Sequence, residues 1–540
     1  MTAITRSYNS PNIENSIPYS PRSSKEEKVD RITEVSIETL KNLHAARSDT
    51  IQVFRESKFT ILFTGDTHSY LDPSVAKFVS EKPLGGVLRR IQYFKKTVDE
   101  TKEPVLILDA GDFFHGTPYY EMFKGKPEIQ FMNMANYHLV TIGNHDLEEG
   151  WEHLEKLLSK GSFKAVCANI FKSDENKPCL EPYSLLKIDD KNVAIVGVMG
   201  LDAWKSIRPS ARSNLRIEDP KVILDELLPD IRPYVDLIIL LSHSGIKDDK
   251  ILAEHPLVDI VVGGHSHTLM SRAEIVERKV DDMIKKSYVF HGFRHGQLVA
   301  RLDIDLSHNH LVNVNSSVEH LDDRYDFPNQ DSIPNEPAVA LLDRYKQKMK
   351  NRYDQKLGEC VESLPSGDKM NQLTPLGEAV ADVLRRAAGA DVGVISSGGI
   401  KVGFEEGPVT VGVVHNMLAH EEELWSVTMS GSLLINLMRE GHKRWGQPRT
   451  FQYAGITLEI KDSEIQRATI NGRTIDKDED YTMAGPSFFF EREIMSPNLE
   501  ILPELKEQVK FVEVKAKDLR DPFKEIIKTQ GLGRWIKRIS

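Results

Sequence analysis

The stretch Phe59-Thr60-Ile61-Leu62-Phe63-Thr64-Gly65-Asp66-Thr67-His68 runs an apolar strand into two residue types that bind metals. A short continuous apolar run of this kind fits a strand buried on both faces, as in sheets covered by helices on either side. The design recurs along the chain. Val105-Leu106-Ile107-Leu108 leads to Gly111-Asp112, and further clusters follow at Gly143-Asn144-His145-Asp146, Ser242-His243-Ser244 and Gly264-His265-Ser266-His267. Amphipathic helices fall between them: Val87, Ile91, Phe94 and Val98 share one helical face, and Trp151, Leu154 and Leu158 share another. Strands alternating with helices imply βαβ units and an α/β fold. Open sheets of that class gather ligand-bearing residues at the carboxyl ends of their strands, along one edge.

A lone Asp or His at a strand end is ordinarily a cap or a surface residue. Five sets in this order, each closing an apolar run, instead describe a two-metal hydrolytic site. Two divalent ions about 3.5–4 Å apart need a bridging carboxylate, with further ligands that leave room for a water between the ions. In a site of this kind Asp66 and His68 chelate the first ion and Asp112 bridges. Asn144, His243 and His265 complete the second ion, and His267 returns to the first. Imidazole mixed with carboxylate suits Zn, Mn, Fe or Co better than Ca, which prefers all-oxygen cages. A water bridging two such ions ionises near neutral pH and is poised to attack phosphorus.

The whole chain sets the frame around this site. At 540 residues it exceeds what one hydrophobic core supports, so at least two domains are expected. The net charge of −11 argues against a nucleic-acid backbone as partner, because phosphate binding needs a local excess of Lys and Arg. Cys167, Cys179 and Cys360 form no close pair and read as thiols of a reducing compartment. No stretch has the character of a secretion signal or the length of a membrane span, and the expectation is a cytoplasmic protein without a membrane partner. A flexible arm with a charged, helix-prone piece around Ile32 to Leu43 is expected over 1–55, and the metal-binding domain over 56–322. A linker and connecting helix follow over 323–356, where Leu342, Tyr345, Met349 and Tyr353 recur at helical spacing. A second α/β domain is expected over 357–540.

From Phe59 to Asp305, the five clusters together with Gly85-Gly86 and Arg89 resemble the calcineurin-like metallophosphoesterases and, within them, the 5′-nucleotidase family. The resemblance implies a four-layer α/β/β/α sandwich that holds the metals, followed by an α/β domain that selects substrate. It also implies that His145 contacts the substrate phosphate and assists the leaving oxygen as a general acid or charge stabiliser. The family orients that histidine with an Asp three residues later; here Glu148 stands in its place and can still accept the imidazole N–H. His115 and Asp146 are expected to play supporting or structural parts, and His291 and His295 to be strand-end polar residues.

The C-terminal part resembles the family less faithfully. Ser396-Ser397-Gly398-Gly399-Ile400-Lys401 falls where the family has an Asn and a Gly-Gly-Ile-Arg, so Lys401 would meet a substrate anion as a point charge rather than a fork. Thr450-Phe451-Gln452 and Phe488-Phe489-Phe490 fall near the two aromatics that sandwich the base. Phe451 and Phe489 are the expected stacking pair, at ~1–3 kcal/mol per base. The function implied is hydrolysis of a small phosphate ester, a nucleoside 5′-monophosphate or related phosphomonoester, by a hydroxide bridging two metals. Two alternatives stand beside it. One is a phosphodiesterase or pyrophosphatase acting on cyclic nucleotides or nucleotide sugars; the other is a catalytically silent, metal-binding regulatory protein.

Overall fold

The computed structural model describes residues 31–46, 57–76, 79–280, 283–307, 310–327, 336–418, 422–446, 450–461, 464–490 and 509–530. They form two compact units, residues 1–346 and 347–540.

Two sheets make the first unit. One has the spatial order β13 (His310–His320), β12 (Leu298–Ser307), β2 (Ser57–Thr64), β3 (Val105–Asp109), β4 (Leu139–Val140) and β5 (Lys164–Ala165). The other has the order β1 (Ile32–Glu34), β6 (Tyr183–Ile188), β7 (Lys191–Met199), β8 (Leu237–His243), β9 (Ile260–Gly263), β11 (Met283–His291) and β10 (Glu274–Val280). Within each sheet the strands that lead into the ligand clusters are parallel: β2, β3 and β4 in one, β8 and β9 in the other. Parallel neighbours end on the same edge, and the register pairs Thr64 with Asp109 and Asp109 with Val140, so their loops emerge side by side.

Strand periodicity explains the layering. Phe59, Ile61, Phe63, Leu106 and Leu108 of one sheet share a buried cluster with Ile195, Ile239, Leu241 and Val262 of the other, so the sheets pack face to face. The alternate residues of the second sheet, Ala194, Val196, Ile238, Leu240 and Val261, are buried against Leu224, Leu228 and Ile231 of helix α6 (Pro220–Ile231). On the far side of the first sheet, helix α2 (Val87–Glu100) buries Val87, Ile91 and Phe94. Phe94 meets the edge of Tyr137, whose hydroxyl is 2.6 Å from that of Thr64. Helix, sheet, sheet and helix are the four layers expected of this domain.

The arm expected over 1–55 is partly corrected. Residues 1–30 and 47–56 lie outside the described residues, but β1 pairs antiparallel with β6, and helix α1 (Ile37–Ala46) buries Leu40 at 2% exposure against the outer cluster. Arg31 fastens the start of this segment to both carboxylate oxygens of Asp189. The helix-prone piece around Ile32 to Leu43 overlaps α1, whereas the three-residue strand before it is too short to show a period.

The second unit is built on a sheet of order β16 (Phe451–Ala454), β14 (Val392–Ser396), β17 (Asp480–Pro486), β15 (Leu424–Ser430) and β18 (Val509–Ala516). Ile395 joins a core with Leu376, Val380 and Leu384 of helix α9 (Pro375–Ala388), while Val392 and Val394 join a second core with Leu433, Leu434 and Leu437 of helix α10 (Gly431–Lys443). The expected connecting helix is α8 (Pro337–Tyr353), and the division between the units falls inside it; residues 328–335 of the expected linker lie outside the described residues.

If residues 31–46 belong to the folded domain, Leu40→Ala destabilises it by about 2–3 kcal/mol through the cavity it leaves. Urea unfolding of the variant checks this, and an unchanged midpoint would return the segment to the status of an arm.

Candidate metal centre

Six of the seven expected ligands converge in the first unit, together with His145. Asp66, His68 and His267 present ligand atoms within 4.8 Å of one another; so do His68, Asp112 and His145, and Asp112, His243 and His265. His68 and His267 bring their Nε2 atoms to 2.9 Å. Two ligands each about 2.1 Å from one ion, at a right angle, lie roughly 3.0 Å apart, so this pair has the bite of a chelate. Asp112 sits between the groups: its Oδ2 is 3.2 Å from His243 Nε2 and 3.9 Å from His68 Nε2.

The backbone carries strain to achieve this. Asp66, His68, Asp112, His265 and His267 all have positive φ, between 47° and 77°, a region uncommon for residues with a Cβ. Such outliers gather where surrounding structure over-determines them, commonly at functional sites. Gly143 is required by crowding, since a Cβ there would strike the Asp112 carboxylate. Asp146, which the sequence leaves as a supporting residue, staples the loops. Its Oδ2 accepts from the amides of Asp112 and Gly143, each at 2.8 Å, and its Oδ1 from Phe114 at 3.0 Å.

The donor set fits divalent cations. His243 Nδ1 donates to the Ala110 carbonyl at 2.8 Å, which directs Nε2 toward the centre and Asp112. Asn144 Oδ1 is buried without a donor. Buried acceptors of this kind are rare unless something satisfies them. Burial lowers His68, His265 and His267, the last to about 4, so these imidazoles are neutral and offer lone pairs. Burial would raise Asp112, but the charge and hydrogen bond of His243 and the charge of His145 outweigh it and hold this carboxylate well below the usual range. Burial would also lower His243, yet Asp112 and Asp66 push it up to about 10; the same two carboxylates would attract a cation at this point.

His145 and Glu148 form the expected dyad: Nδ1 and Oε1 are 2.8 Å apart. Burial lowers His145, but its hydrogen bond to Glu148 and the charge of Asp112 outweigh it and raise it to about 9. Glu148 is held at about 2, because His145, His115 and Arg208 overcome its burial. The His145 amide donates to Asp112 Oδ1 at 2.8 Å, tying the dyad to the ligand set. His115 stacks parallel on the His145 ring at 4.8 Å.

Calcineurin-like phosphoesterases match this chain over residues 59–269, and the C-terminal domain of 5′-nucleotidases matches residues 356–494. The chain belongs to the 5′-nucleotidase family of calcineurin-like metallophosphoesterases. This family uses divalent metals. The chain is 26% identical to the trifunctional nucleotide phosphoesterase protein YfkN of Bacillus subtilis, over 71% of this chain and 27% of that protein. It is 29% identical to the 5′-nucleotidase of Homo sapiens, over 56% of this chain and 55% of that protein. It thus spans only about a quarter and about half the length of these two curated relatives. The solved 5′-nucleotidase precursor of Thermus thermophilus shares its fold at a TM-score of 0.62 and 24% identity, covering 87% of this chain and 96% of that one.

Outside the ligand set the sequence expectations divide. His291 is buried against Asp249 at 2.8 Å and is a structural residue. His295 differs from its expectation as a plain strand-end residue: its amide donates to the Asp66 carbonyl, and its ring stacks on Tyr70 at 3.7 Å and lies 6.0 Å from His68. Burial and the charge of Arg294 depress His295 to about 3. Tyr70 and Arg208 are site neighbours that the sequence did not single out; Tyr70 lies two positions beyond His68, whereas Arg208 meets Glu148 across sixty positions with no motif to mark it.

In the second unit, Lys401 is exposed and donates to the Gly398 carbonyl at 2.8 Å. The expected stacking pair is corrected. Phe451 and Phe489, at 1% and 2% exposure, pack edge-to-face on each other at 4.9 Å inside the α10 core, so neither presents a ring face to a base. Phe488, at 54% exposure, is the exposed member of its triplet and lines a small pocket with Phe489, Ser396, Gly399, Glu422 and Pro486.

Two outcomes follow from the site's supports. Asp146→Ala strands three buried amides and should cost roughly 3–6 kcal/mol, read by denaturant unfolding, with metal content falling in parallel. Glu128, on helix α3 (Lys126–Met134), is buried near Ser69 and raised by that burial to about 7 from an ordinary 4.5. Its contribution is therefore fully present below pH 4.5 and is lost as pH rises through 7. Glu128→Gln should gain about 3 kcal/mol at pH 8 and almost nothing at pH 4; equal gains at both would refute the shift.

Proposed function

We propose that this chain is a binuclear metal-dependent phosphohydrolase that cleaves a phosphate ester, a nucleoside 5′-monophosphate or related phosphomonoester. The observation that carries the reading is Asp112, one buried carboxylate reaching the ligand atoms of both His68 and His243. In this reading Asp66, His68 and His267 hold one ion, Asn144, His243 and His265 hold the other, and Asp112 is shared. Such a pair of ions lowers the pKa of a water between them toward neutrality and stabilises charge on phosphoryl oxygens.

The chain's own residues supply the rest. The Glu148 carboxylate favours the protonated ring of His145, whose side chain is 33% exposed, so this histidine can donate to a phosphoryl or leaving oxygen while Asp112 fixes its backbone. Glu148 holds Nδ1, which leaves Nε2 as the working nitrogen. His115 limits the tilt of the ring by stacking on it. Hydrolysis of a phosphodiester or pyrophosphate is a second reading. The same ligand set would support it, and Lys401 stands as a point charge where the family has the fork of an Arg for the phosphate. Among the described residues no helix is long and apolar enough to cross a membrane, and the free thiols of Cys167, Cys179 and Cys360 support a cytoplasmic site of action.

Elemental analysis of the purified protein should give about two ions per chain; one or none overturns the proposal. Activity with added Mn, Zn or Co should be measured on a nitrophenyl monoester, its diester, nucleoside monophosphates and nucleotide sugars. Turnover of the diester without the monoester replaces the leading reading with the second. Asp112→Ala should abolish turnover, and His145→Ala should slow it by roughly 10²–10⁴-fold.

A further inference from the structure

Glu148 serves two partners with one carboxylate. Oε1 accepts from His145, while Oε2 accepts from Arg208 through Nε at 3.1 Å and Nη2 at 2.8 Å. The glutamate side chain is 15% exposed and the arginine 37%, so the arrangement sits at the mouth of the centre with its carboxylate largely out of solvent. Arg208 comes from a distant part of the chain, in the loop after helix α5 (Leu201–Ser206). Pro209 follows it, and Arg208 has the extended backbone (φ −53°, ψ 135°) that a residue before proline prefers.

The chemistry explains why such a partner is needed here. Glu148 stands where the resemblance places an aspartate, and it has one more rotatable bond between backbone and carboxylate. A freely rotating carboxylate on that longer stem would sample positions away from His145 Nδ1, and fixing it costs side-chain entropy. A guanidinium is planar and presents its donors in a fixed geometry, so two of them on one oxygen set where the carboxylate lies as well as its charge. From the geometry we infer that Arg208 is a positioning residue: it clamps Glu148 so that the longer acid orients His145 as a shorter one would. Its Nε and Nη2 are both engaged by Glu148, so that edge of the guanidinium is not offered to substrate phosphate.

This inference rests on the role proposed for His145, and the experiment separates the two. Arg208→Ala, Arg208→Gln, Glu148→Gln, His145→Ala and the double variant Arg208→Ala/Glu148→Gln are prepared. Each is assayed for kcat and KM on the best substrate of the panel and for metal content. Arg208→Ala should lower kcat by about 10- to 100-fold, with KM and metal content as in the parent. Arg208→Gln should show the same loss and serves where the alanine variant does not fold. In the Glu148→Gln background, removing Arg208 should cost less than about twofold more, because residues that act through one another are not additive. A raised KM at unchanged kcat would make Arg208 a substrate contact and overturn the inference; so would additive losses in the double variant. If His145→Ala is slow while Arg208→Ala behaves as the parent, the clamp alone fails. If His145→Ala turns over normally, the role proposed for His145 fails with it.

Discussion

Asp112 is a carboxylate buried to 1% exposure at the point where the two sheets end, and most of the site is arranged around it. Its Oδ2 faces His243 and His68, its Oδ1 holds the amide of His145, and its own amide is held by Asp146. Taking an anion out of water is expensive unless cations and hydrogen bonds surround it. The imidazoles and the amide about Asp112 answer that requirement, and Asp66 adds a second buried acid within the same space. Two acids and several imidazoles at this spacing need protons or cations among them, and this requirement connects the fold to the chemistry.

The parallel strands make the convergence possible. β2, β3 and β4 deliver Asp66, Asp112 and Asn144 to one sheet edge, and β8 and β9 deliver His243 and His265 from the facing sheet. No single loop could supply this set, because each loop contributes one or two ligands and turns away. The positive φ values at Asp66, His68, Asp112, His265 and His267 follow from that economy. A loop that must aim its side chains back over a strand end within a few residues leaves them little choice of backbone conformation. Asp146 and the close approach of Gly143 to Asp112 hold the loops in that state.

The catalytic half was legible because its information is local. A buried parallel strand writes itself as an apolar run, and a ligand two or three residues beyond it can be read directly. Six of the seven residues expected as ligands therefore lie together where the strand order puts them. What was not legible is non-local. Arg208 meets Glu148 across the chain, Tyr70 meets His295 by a stack between two strand-end loops, and β1 is too short to show a period. No spacing rule connects such pairs; only the folded backbone brings them within reach.

The substrate side failed for a different physical reason, visible in β16. Strand periodicity sends Phe451 and Gln452 to opposite faces, so a shift of one position decides what each can do. Phe451 pairs in register with Ser396 and packs toward Gly441 of α10 in the core. Gln452 takes the other face, accepting from Thr374 and donating to the carbonyls of Lys369 and Gln372. An aromatic at nearly the family's position is thus committed to packing, and the residue beside it is committed to holding the approach to α9. Strand parity makes a recognition residue unreadable when the register is uncertain by one. A ligand that follows a strand end tolerates that uncertainty because the loop can re-aim it, whereas a residue inside a strand cannot.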